Sequence, residues 1–124
     1  MEVAVDAVNR LLRLPQGWDA DGASAVSEVA AVTAVEWLDQ LATDNTPVPH
    51  VVPLASGGLQ LEWVAGGQAF EIEVGPAGDV GVLGVDASGN PIIEGEYPAP
   101  DGTTFVIDAR KFLSAMFGSR TRSS

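Results

Sequence analysis

Residues Leu59–Ala65 and Ala69–Gly75 alternate apolar and polar side chains on either side of a Gly66-Gly67 break. A period of two belongs to a strand, where successive side chains point to opposite faces. Two glycines supply the positive φ angles of a tight hairpin turn. A two-residue loop then predicts the register. Ala65 faces Gln68, Trp63 faces Phe70, Leu61 faces Ile72 and Leu59 faces Val74 on an apolar face. On the other face Glu62 sits opposite Glu71 and Gln60 opposite Glu73.

The remaining chain reads around this hairpin. Val5, Val8, Leu11 and Leu12 fall at helical spacing in a short helix over 3–13, which Pro15 ends. Residues 18–23 read as a tight turn, with Trp18 as a core anchor. A longer helix is expected from Ser24, its N-cap, to Thr43, with Val26, Val29, Ala30, Thr33, Trp37, Leu38 and Leu41 as its apolar stripe. Asp44–Pro49 reads as a linker. Strands are expected at His50–Leu54, Val80–Asp86 and Ile92–Tyr97, with a turn at Pro98–Gly102. A last strand is expected at Thr103–Ile107, then a helix over 109–117 capped by Asp108, with Phe112, Leu113, Met116 and Phe117 facing inward.

Helices followed by a run of antiparallel strands predict an α+β fold. Two N-terminal helices pack on one face of a meander sheet of about five strands, and a short C-terminal helix completes the chain. Residues 1–118 form a single domain and 119–124 a disordered tail. The other sheet face is left to solvent or to a partner.

Charge narrows the class of partner. Between Leu14 and Ala109 the chain has no lysine or arginine, yet it carries fifteen of the seventeen acidic residues. The net charge is −11. Such a field repels nucleic acid and anionic lipid and attracts cations. No cysteine is present, which excludes disulfides, thiolate zinc sites and cysteine nucleophiles. No apolar run is long enough to span a membrane, and the first residues carry no basic and apolar signal segment. The expectation is a cytoplasmic protein without membrane or direct nucleic-acid contacts.

The chemistry-bearing clusters are few. Asp19, Asp21, Gly22 and Glu28 match positions 3, 5, 6 and 12 of a calcium loop, but position 1 is Gly17, which has no ligating oxygen. The better reading places Asp19 and Asp21 near the positive end of the following helix. His50 is the only histidine and suggests no metal or catalytic triad. The glycine pairs read as turns, because no basic residue or Gly-Lys-Ser motif accompanies them. The expectation is no enzyme, no cofactor and no metal site.

The segments Leu14–Ala23, Pro47-Val48-Pro49, Val52-Pro53, Gly57–Trp63 and Glu71–Val74 together resemble a family of small uncharacterised bacterial and phage proteins. These share a GWDxxGA turn followed by a GGxxLEW strand. The resemblance covers about residues 9–85. It implies only a mobile-element or host-defence setting and supplies no enzyme activity.

Charge and resemblance together favour a small acidic, non-catalytic protein that binds a basic protein, of antitoxin, immunity or phage anti-defence type. Glu62, Glu71, Glu73 and Gln60 on the open hairpin face would meet the partner's Lys or Arg, and Asp19 and Asp21 would extend the surface. One alternative is a small-ligand sensor or sponge, with a pocket between helices and sheet lined by Trp18, Trp37 and Trp63. Another is a structural phage or assembly component, and a homo-oligomer is left open.

Overall fold

Gly66 and Gly67 take φ angles of 60° and 81°. This left-handed pair closes the hairpin between β2 (Leu59–Ala65) and β3 (Gln68–Val74). The observed register runs from Ala65 opposite Gln68 to Leu59 opposite Val74, as the alternation predicts. A one-residue slip would turn the whole apolar set to solvent, so burial and turn chemistry enforce the same pairing.

The computed structural model describes residues 2–41, 46–97 and 103–118. Its other elements are α1 (Glu2–Leu11), α2 (Glu28–Leu41), β1 (His50–Pro53), β4 (Val80–Val85), β5 (Pro91–Tyr97) and α3 (Thr103–Gly118). The five strands form one antiparallel sheet in the order β1-β2-β3-β4-β5. This is the expected α+β meander. The expected turn at 98–102, the tail at 119–124 and the predicted end of the second helix at Thr43 lie outside the described residues.

One face of the sheet builds the core. Leu59, Val74 and Val80 form one cross-strand row, and Leu61, Ile72 and Val82 the next. Trp63, Phe70 and Gly84 form the third. The same buried cluster contains Ala4 and Val8 of α1, and Ala30, Ala31, Ala34, Trp37, Leu38 and Leu41 of α2. Ala109, Phe112, Leu113 and Met116 of α3 complete it, so the C-terminal segment shares the core of the rest. Full burial of a side chain the size of Leu or Phe contributes roughly 1.5–3 kcal/mol.

Gly84 shows how α3 reaches the sheet. A Cβ at this position would meet the Phe112 ring at 3.1 to 3.2 Å. The missing side chain leaves the space that Phe112 fills, with its ring centroid 5.7 Å from that of Phe70.

Several expectations are corrected. Residues 103–107 are not a strand but the first part of α3, and Asp108 lies inside that helix rather than capping it. The β-branched residues suggested a strand, but their cost in a helix is below about 0.7 kcal/mol each. The stripe Ala109, Phe112, Leu113 and Met116 supplies the apolar face that holds the helix.

α2 begins at Glu28 rather than near Ser24, and its cap is Ser27. The Ser27 hydroxyl oxygen accepts from the Ala30 amide at 3.0 Å and donates to the Pro76 carbonyl at 2.7 Å. Upstream the chain is tied to the β1–β2 loop instead: the Ser24 amide donates to the Ala55 carbonyl and the Ser27 amide to the Gly57 carbonyl, each at 2.9 Å. These bonds delay the helix. Val29 lies within this helix but is 52 % exposed, outside the buried stripe of Ala30, Ala34, Trp37, Leu38 and Leu41.

Candidate functional site

The face of the sheet opposite the core gathers the carboxylates. Cross-strand pairing sets His50, Glu62, Glu71, Leu83 and Glu94 in one row across all five strands. The adjacent row is Val52, Gln60, Glu73, Gly81 and Glu96. Five glutamates therefore share one face: one on β2, two on β3 and two on β5. Glu62 and Glu71 are half-buried, and Glu73, Glu94 and Glu96 are exposed.

β4 carries no charge. Its Gly81 and Leu83 form the floor of a trough between the glutamates of β3 and those of β5. With strands about 4.8 Å apart, the two walls stand roughly 10 Å from each other. A cavity of about 330 Å³ follows this trough, lined by Glu71, Glu73, Gly81, Leu83, Glu94 and Glu96 among others. A second cavity of about 580 Å³ shares Glu73, Gly81 and Glu96 and extends past Asp79 to Ser56. Gly81 keeps the floor low, since a Cβ there would meet no atom within 4 Å.

The structure brings Gln60, Glu62, Glu71 and Glu73 together, as the hairpin register predicts. The Gln60 side-chain amide donates to Glu62 at 3.2 Å. No cation is paired with these glutamates among the described residues. Arg110 is engaged elsewhere: its Nε donates at 2.7 Å to the carbonyl of Gln40, near the C-terminus of α2, where a cation offsets the helix dipole.

Glu94 and Glu96 complete the face and were not singled out from the sequence. Glu94-Gly95-Glu96 has the same spacing as Glu71-Ile72-Glu73, which is the signal that identifies them. Which face they occupy depends on pairing with β4, where the register shifts between Gly84 and Val85. Farther along the open face, Val64, Ala69 and Val85 form an apolar row beside the acidic one.

Asp19 and Asp21 sit in the loop ahead of α2, which starts at Glu28 rather than near Ser24. The Asp19 carboxylate accepts the amides of Asp21 at 2.9 Å and Ala23 at 3.0 Å. Those bonds hold its pKa below the usual carboxylate value, the Asp21 amide contributing most. Asp86 does the same in the β4–β5 turn. It accepts the amides of Asn90 and Ser88, and the Asn90 amide is the largest cause of its lowered pKa. Asp21 is exposed.

Of the three tryptophans, two belong to the core cluster and one does not. Trp37 and Trp63 are buried in the core, and Trp63 lies against Phe70 with ring centroids 5.7 Å apart. Trp18 is half-buried outside that cluster, and its indole donates to the Ser24 carbonyl at 3.0 Å. It fastens the loop rather than anchoring the core. Among the described residues, no group of three or more His, Asp or Glu side chains is placed to hold a metal ion. No described helix is long and apolar enough to cross a membrane.

No family model matches the chain, and no match is found among curated proteins or solved structures.

Proposed function

We propose that this chain is a non-catalytic acidic binding protein whose open sheet face captures a basic protein partner. The observation that carries the reading is the trough over Gly81 and Leu83, walled by Glu71 and Glu73 on one side and Glu94 and Glu96 on the other. A lysine or arginine stem can lie along the floor with its charged head between two carboxylate walls. The uncompensated acidic field speeds encounter with a cationic surface and sets its orientation. The neighbouring row of Val64, Ala69 and Val85 offers apolar contact beside the charges. An antitoxin, immunity or phage anti-defence role within a cell is the setting suggested by the resemblance of the GWDxxGA and GGxxLEW segments.

The test is affinity capture from the native host with the wild-type chain and with the double reversal E62K/E71K. Glu62 and Glu71 are direct cross-strand partners, so the double variant keeps a like-charge pair and inverts only its sign. The expected outcome is a basic protein retained by the wild type at low salt and lost by the folded variant. Equal retention by both overturns the reading.

A further inference from the structure

The two edges of the sheet differ. β1 has four residues, ends at Pro53 and follows Pro47 and Pro49, while α1 packs beside it. Prolines and a very short strand blunt an edge. β5 has seven residues with proline only at its first position, so Ile92–Tyr97 retain every backbone N–H. Among the described residues no strand pairs with its outer side. Such an edge presents alternate N–H and C=O groups ready to accept another strand.

The side chains of β5 select the occupant. Glu94 and Glu96 project on the open face, both exposed. A second copy pairing edge to edge would set acidic residues against one another, which is unfavourable. An extended segment with Lys or Arg at every second residue reverses the sign: its cations fall about 5 Å across from Glu94 and Glu96. Its intervening apolar residues fall on the core side next to Ile93, which already packs against the core.

We propose that β5 is the docking edge for an extended basic segment, added as a sixth strand with alternate cations facing Glu94 and Glu96. The proposal rests on the reading of the open face as a cation-binding surface and adds the conformation of the bound segment. It is tested on the full chain with a capped heptapeptide of alternating lysine and valine. Two controls have the same sequence, each N-methylated on one alternate set of amides, which preserves charge but blocks pairing along one edge. Binding is measured by titration, and the β5 amides are followed by hydrogen exchange in NMR spectra. The expected result is slowed exchange within Ile92–Tyr97 with the plain peptide, and affinity weaker by about tenfold or more for at least one methylated control. If all three peptides bind alike, with shifts around Glu62, Glu71 and Glu73 and no protection in β5, strand addition is overturned while the cation-binding face stands. If no peptide binds, both readings fall.

Discussion

Glu62 lies directly opposite Glu71 in the β2–β3 ladder, and both side chains are half-buried. Like charges in this position destabilise a sheet. Replacing Glu71 by Gln is therefore expected to stabilise the fold by roughly 0.2–1 kcal/mol at low salt. The gain should shrink towards 1 M salt, where the screening length falls to about 3 Å. Urea denaturation at two ionic strengths checks this. An E71Q variant less stable than the wild type at low salt would contradict the assignment of uncompensated charge.

Gly81 separates function from stability. Its open surroundings accept a Cβ without a clash. Gly81→Val should leave the fold intact and raise its stability by about 0.5–1 kcal/mol through lost backbone freedom in the unfolded chain. The same branched side chain fills the trough floor, so affinity for the captured basic partner should fall by roughly tenfold, equivalent to about 1.4 kcal/mol. Denaturation and titration with the captured partner on one preparation read both effects. Undiminished affinity would remove the trough from the binding surface.

Ser27 joins three parts of the chain through the start of α2. Ser27→Ala removes the helix cap and the bond to the Pro76 carbonyl. The expected loss is about 2 kcal/mol, combining a cap of about 1 kcal/mol with one further hydrogen bond of similar size. Ser24 is tied to Ala55 through its backbone amide, which alanine retains. Ser24→Ala should therefore stay within about 0.5 kcal/mol of the wild type. Comparable losses at the two positions would restore the earlier helix start.

Asp19 and Asp86 predict a feature of the acid limb. Backbone amides hold each carboxylate below its ordinary value of 3.8. A group whose folded pKa is depressed contributes stability above its unfolded pKa, and that contribution disappears as pH falls through the folded pKa. The double variant D19N/D86N should therefore show a shallower loss of stability below about pH 3.8 than the wild type. The two curves should lie farthest apart above that pH. The denaturant midpoint as a function of pH gives the comparison, and parallel acid limbs would show that these turns do not differ between the folded and unfolded chains.

Local patterning by itself determined the central hairpin, because an alternating sequence around two glycines admits one register that buries Leu59, Leu61, Trp63, Phe70, Ile72 and Val74 together. The acidic half formed by Glu62, Glu71 and Glu73 follows from that register, as does the α+β meander from the order of elements. Tertiary structure alone decided the rest. β4 is apolar or glycine at every position, so its sequence does not mark which face is which, and only pairing through the Gly84–Val85 irregularity brings Glu94 and Glu96 beside Glu71 and Glu73. Residues 103–107 carry a strand-like local preference. The core face of α3 overrides it, because propensity costs tenths of a kcal/mol per residue while each buried anchor such as Phe112 is worth several times more.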